Sequence, residues 1–328
     1  MNYLSAINRL SAAPGPSGFE GAVARVALDM LSPLVGEAYL DRMGNVVGLR
    51  PCGKPGAKKV LLDAHLDEIG FIITGQEEGY LRFAPLGGVD PRMLSNRELT
   101  VLTNPPRLGV VACLPPHIQS REDMDKSQPI SELYLDLGLT EEEAKAIPIG
   151  TPAVYRTGCL ALGKDLLSGK ALDDRACFVL LLRALELLEG EELDVDLVVL
   201  GSTQEETHST GAITAAYGLR PDLCVAVDVT HGDSPDASKD KTFPLGKGPV
   251  IGLGPNCTKW ISDLMRRCAK EMDLNVQLEV MSGSSGTNGW PLQVSREGIA
   301  TGVLSLPLRY MHTPIETAHQ GDMEDTAR

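Results

Sequence analysis

Aromatic residues are scarce. Five Phe, seven Tyr and two Trp make up 4% of 328 residues. Too few flat rings are present to build the stacking platforms that hold single-stranded nucleic acid. Positive charge is also in deficit, with 30 Lys and Arg against 44 Asp and Glu and a net charge of −14. Such a field repels phosphate backbones and anionic lipid, and it attracts metal ions and amines. Nucleic acid and membrane surfaces are therefore excluded as partners. Long apolar runs are missing as well. CFVLLL (177–182) is among the longest, far short of a membrane span. The amino terminus has neither the basic segment nor the continuous apolar segment of a secretory signal, so a cytoplasmic location is expected. No Cys-x-x-Cys pair occurs, and the seven cysteines are odd in number and scattered. That pattern suits a reducing compartment rather than a disulfide framework.

What is present is ordinary soluble-protein material, 43% hydrophobic and 23% charged. The length suggests about two domains. Leu4, Ile7 and Leu10 share a helical face, and Val23, Val26, Ala27, Met30 and Leu31 share another after the break at APGPSG. A short strand is expected at 45–49, and a buried one from 58 to about 64. From about 70 to 165 short β-prone runs (FIIT, YLRF, ELTVLT, GVVACL) are punctuated by Gly, Pro and Asn. They read as a small β-rich unit with a surface loop at QSREDMDKSQP (119–129) and a helix near 140–147. Beyond 172, helices near 174–188, 211–217 and 257–272 alternate with strands at 197–202, 224–229 and 300–306. Alternation of this kind implies an α/β sheet sandwiched by helices. The expected architecture is thus discontinuous. An α/β domain spans 1–68 and 166–328, and a β-rich, barrel-like domain at 69–165 is inserted between its strands.

The polar residues at the carboxyl ends of these strands carry the chemistry, because open α/β sheets build their sites there. His65 and Asp67 follow the first strand. Asp173 and Asp174 open a helix. Glu205 and Glu206 follow the strand at 197, Asp228 lies on the strand at 224, and His312 follows the last strand. Imidazole and carboxylate together suit Zn, Co or Mn, and two such metals need one bridging carboxylate. Singly, each element has a plain structural reading. His-x-Asp is common, and paired acids at a helix start favour the macrodipole. Their joint occurrence at successive strand ends points to a binuclear metal site.

The strings AHLDEIGFI, GKALDDRA, TQEE, DVTHGD and PLRYMHTPIE, in that order, resemble the dinuclear metallo-aminopeptidases of the glutamyl, deblocking and tetrahedral aminopeptidase family. Some members of that family are labelled endoglucanase or cellulase. PLGGVDPRML, LPPH and LYLDLG extend the resemblance through the inserted segment. It implies two divalent metal ions per subunit, one held by His65, Asp173 and Asp228 and the other by Asp173, Glu206 and His312. It further implies Glu205 as general base and Asp67 as the group orienting the His65 ring. The implied activity is removal of amino-terminal residues from short peptides with a free amino terminus. The implied assembly is a homo-oligomer, a dodecamer built from dimers through the inserted domain. A deacylase or carboxypeptidase would use the same metals, and a peptide-binding scaffold would lack the chemistry. A glycosidase is disfavoured by the shortage of aromatics.

The sequence also departs from the family. Thr207–His208–Ser209–Thr210 stands where an apolar residue and a glycine are usual, and His208 is read as a loop residue. Thr287–Asn288–Gly289 replaces Thr-Asp-Ala, which removes a carboxylate near the site. The chain ends soon after PIETAHQGDMEDTAR, where relatives carry a terminal helix, so that helix is expected to be cut short. His117 and His231 read as structural or loop residues. The Gly/Ser-rich loop 282–290 could cradle substrate backbone. Arg309 either contacts substrate or holds a carboxylate.

Overall fold

A computed structural model describes residues 1–120, 126–235 and 237–328. Residues 121–125 of the loop read at 119–129 therefore lie outside the described residues. Two sheets organise the chain. The larger has eleven strands. Its centre is four parallel strands in the order Val195–Ser202, Lys58–His65, Leu223–His231 and Ala300–Arg309. Each is rich in Val and Leu because a parallel strand covered on both faces must be apolar on both. Alternation along Val195–Ser202 shows the consequence. Leu197 and Val199 enter one core, while Val198 and Leu200 enter the other.

The first of these cores receives the helices Tyr3–Ala12, Gly21–Leu31 and Leu172–Leu187. Leu172–Leu187 is buried on nearly every side, from Leu172 through Leu182, because the amino-terminal helices cover the face it turns away from the sheet. The second core is closed by Thr210–Leu219, through Ala212, Ala215 and Ala216, and by Leu292. The sheet also includes strands not expected from the sequence: Glu37–Leu40, Val250–Leu253, Gln277–Val280 and Glu316–His319. They are short, and each is four residues long, too brief to show a period. A helix forms at Gln320–Ala327, within the last residues of the sequence.

The second sheet is a closed barrel of six antiparallel strands: Gly70–Glu77, Tyr80–Leu86, Tyr134–Asp136, Arg107–Ala112, Glu98–Val101 and Pro152–Tyr155. Closure leaves no open edge. Two of the five phenylalanines fill its interior. Phe71 meets Phe83 and Tyr155 edge-on at 5.5 and 5.2 Å, the orientation that ring quadrupoles favour. The hairpin Leu160–Leu162 and Leu166–Gly169 pairs back on the large sheet. The architecture is the mixed α/β sheet with a β-barrel that the sequence pattern implies.

A buried ion triad joins these parts. Glu68, between sheet and barrel, accepts from Lys170 Nζ at 2.6 Å and Arg175 Nη2 at 3.0 Å. Arg175 is fully buried and also donates to the carbonyls of Leu10, Ala13 and Leu66. Burial opposes ionisation of Glu68, yet the two cations hold its carboxyl below the usual range. Its stabilisation is fully present above about pH 4.5 and is lost as the pH falls through the lowered value. Glu68→Gln leaves both cations without a counter-charge and should cost about 3–5 kcal/mol. Chemical denaturation at neutral pH measures this, and a loss below 1 kcal/mol contradicts it.

Candidate metal centre

Parallel register decides where the polar residues meet. Ser202 lies opposite His65, Ala226 opposite Asp63, and Asp228 opposite Ser305. The carboxyl ends of the central strands therefore open onto one cleft of about 410 Å³. His65, Asp173, Glu205, Glu206, Asp228 and His312 all line it.

Asp173 stands between the two imidazoles. Its Oδ1 is 3.1 Å from His65 Nε2, and its Oδ2 is 3.3 Å from His312 Nε2. His312 Nε2 is also 3.3 Å from Glu206 Oε2. His65, Asp173 and Glu206 can each bring a ligand atom within 4.8 Å of the others, and so can His65, Asp174 and Asp228. Asp174 belongs to a pair the sequence singled out, but it had no assigned role. It is fully buried, its Oδ2 accepts the His65 backbone N–H at 3.1 Å, and its Oδ1 has no hydrogen-bond partner.

A supporting layer fixes these groups. His312 Nδ1 lies 2.9 Å from the Gly88 carbonyl, so Nδ1 donates and Nε2 is left free to ligate. A side chain at Gly88 would meet that nitrogen at 2.7 Å, so glycine is required there. His65 Nδ1 faces the Asp67 backbone carbonyl at 3.1 Å, whereas the Asp67 carboxylate is 3.5 Å away. That carboxylate instead accepts the Glu205 and Glu206 amides at 3.0 and 3.1 Å. The grip on His65 expected of the Asp67 side chain thus falls mainly to its main chain. The carboxylate is drawn to the unsatisfied N–H groups that open a helix, here Glu205–His208. Glu316, unassigned in the sequence, accepts from the amides of Leu172, Asp173 and His312 at 2.8, 3.1 and 2.8 Å. It positions two candidate ligands at once. Its place in PIETAHQ gave no chemical cue, because the three amides come together only in the fold.

The departures from the family pattern fall away from the ligand cluster. His208 is exposed and borders a separate depression with Trp290. Asn288 lies behind the cleft, donating to Asp63 at 2.8 Å and Ser202 at 2.9 Å. Ser285, Gly286 and Thr287 of the Gly/Ser loop line the cleft, as does His231. Arg309 holds the Asp233 carboxylate at 2.7 Å. His117 sits in the turn Pro116–Ile118, away from the cleft.

Burial and mutual repulsion push the acids up. Glu205 rises to about 7, and Glu206, Asp174 and Asp228 rise well above the usual range. Burial opposes protonation of His65, but the Asp173 and Asp67 carboxylates outweigh it and raise its pKa. Burial would also raise Asp173, yet its bonds to His312 and His65 hold it low. The donor set, the crowding and the partnerless Asp174 oxygen together fit a divalent cation bound by nitrogen and oxygen. The class defined by fold and site is an α/β protein with a cluster of potential metal ligands at the carboxyl edge of its sheet.

The comparisons narrow that class. The family model described as M42 glutamyl aminopeptidase matches residues 44–328. The chain belongs to the M42 family. It is 34% identical to the lysyl aminopeptidase of Pyrococcus furiosus, over 98% of this chain and 94% of that one. Among solved structures it is similar to the aminopeptidase of the archaeon Desulfurococcus kamchatkensis, with a TM-score of 0.91 and 33% identity, over 99% and 92% of the two chains. It is also similar to the TET1 peptidase of Pyrococcus horikoshii, with a TM-score of 0.87 and 28% identity, over 99% and 97%.

Raised carboxyl and His65 pKa values mean that the metal-free protein is stabilised by bound protons. For Glu205 that contribution is complete below about pH 4.5 and is lost as the pH climbs through about 7. The metal-free protein should therefore melt lower at pH 8 than at pH 6. Scanning calorimetry on chelator-treated protein tests this, and a higher Tm at pH 8 contradicts it.

Proposed function

We propose that the chain is a metal-dependent aminopeptidase that removes amino-terminal residues from short peptides. The observation that carries the reading is Asp173, which offers one carboxylate oxygen to each of two imidazoles. In this reading His65, Asp173 and Asp228, with Asp174 beside them, would hold one divalent ion of the Zn, Co or Mn class, and Asp173, Glu206 and His312 would hold a second. When bound, such ions would supply Lewis acidity toward the scissile carbonyl and the attacking water.

The remaining chemistry belongs to the chain. Glu205 Oε2 lies 3.9 Å from His65 Nε2, beside the ligands but not among them. From there it would accept a proton from the attacking water and return it to the departing amine. Asp67 holds the amides of Glu205 and Glu206 together. It thereby directs one carboxylate to proton transfer and its neighbour to ligation. The acidic cleft draws in the free α-amine.

The inserted barrel, taken as roughly 69–165, is proposed as the element through which subunits pair. The assembly is a homo-oligomer, for which the Pyrococcus horikoshii relative, described as assembling into a tetrahedron or a large octahedral shell, is the support. A dodecamer built from dimers fits that pattern. In this reading the protein acts in the cytoplasm, and among the described residues no helix is long and apolar enough to cross a membrane.

Chelation followed by return of Zn, Co or Mn should abolish and restore hydrolysis of aminoacyl p-nitroanilides. N-acetylated counterparts should stay intact. Glu205→Gln should lower kcat by about 10²–10⁴-fold without loss of bound metal. Turnover of acetylated substrates would instead indicate a deacylase. Full activity in Glu205→Gln would remove Glu205 from the mechanism.

A further inference from the structure

We infer that Glu279 makes this cleft selective for peptides whose amino-terminal residue carries a cationic side chain, lysine or arginine. The inference rests on the aminopeptidase reading and adds its substrate class. Glu279 lies on the edge strand Gln277–Val280, paired through Gly252 to the strand Val250–Leu253. It lines the same cleft as the metal-ligand cluster. Its carboxylate accepts one hydrogen bond, from Thr230 Oγ1 at 3.0 Å. Thr230 is two residues past Asp228 on the strand Leu223–His231. The two side chains therefore share a face, about 6.6 Å apart along the strand. Glu279 thus stands one side chain beyond the ligand cluster, where the side chain of a bound amino-terminal residue would extend.

Among the described residues Glu279 forms no ion pair with a Lys or Arg, and its one hydrogen bond comes from the neutral Thr230 hydroxyl. Its second oxygen accepts no hydrogen bond among them either, which leaves it open to a ligand. Met281 and Met311 line the same cleft. Methionine adapts to a flexible neighbour, and the methylene stem of a lysine or arginine packs on apolar surface while its charged head reaches a carboxylate. An acidic substrate side chain would meet repulsion, and a leucine would leave Glu279 unpaired.

The test compares kcat/KM for lysyl, arginyl, leucyl and glutamyl p-nitroanilides in the metal-reconstituted full chain and in Glu279→Gln. The wild type should favour lysyl and arginyl over leucyl, and leucyl over glutamyl. Glu279→Gln should lower the lysyl-to-leucyl ratio by about tenfold or more, the usual worth of a charged hydrogen bond. Thr230→Val should lower it less. A wild type that favours leucyl or glutamyl overturns the inference. So does an equal loss on every substrate, which would instead place Glu279 on the α-amine. If no aminoacyl substrate is cleaved, the aminopeptidase reading fails separately. The inference is then decided by calorimetry with lysinamide and leucinamide, and equal affinity, or no change in Glu279→Gln, overturns it.

Discussion

Carboxylates crowded out of water at one edge of a parallel sheet are the constraint on which the rest of this molecule depends. Asp63, Asp67, Asp173, Asp174, Asp228 and Glu316 are each at most 6% exposed, and Glu205 and Glu206 stand beside them. Among the described residues His65 and His312 are the groups that pair with Asp173 and Glu206. Burying a charge without a counter-charge is costly, and the group takes up a proton instead. The raised values at Glu205, Glu206, Asp174 and Asp228 are that response. Such a cluster suits a cation, because a cation neutralises it without leaving the acids protonated.

The scaffold keeps the cluster together against its own repulsion. Asp67 and Glu316 are anchored by backbone amides, two for Asp67 and three for Glu316. Glu68, Lys170 and Arg175 lock the start of the Asp173 helix to the loop that follows His65. Parallel register brings the strand ends level, and the two cores hold them level. The barrel does more than extend the chain, since the loop following its second strand brings Gly88 against the His312 ring.

Much of this was legible in the sequence, for identifiable reasons. Long apolar strands and helices such as 58–65, 172–187 and 223–231 announce themselves because burial on both sides forces apolar runs. Strand-end acids and histidines could be found because chain order and sheet topology coincide there. What stayed hidden depended on contacts distant in sequence. The strand Gln277–Val280 is too short to show a period, so Glu279 had no visible address. Glu316 reads as one acid among many until three amides converge on it. Asn288 read as a lost active-site carboxylate, but its side chain faces Asp63 and Ser202 behind the cleft. The Asp67 carboxylate turned to the Glu205 and Glu206 amides, a partner that only the folded helix start provides.

In the proposed function Asp173 would serve two cations at once. The most direct test is an anomalous difference map from crystals of the full chain grown with zinc. The account predicts two peaks flanking the Asp173 carboxylate, one toward His65 and Asp228 and one toward Glu206 and His312. A map with no peak there, or with a single ion that Asp173 does not touch, would contradict it.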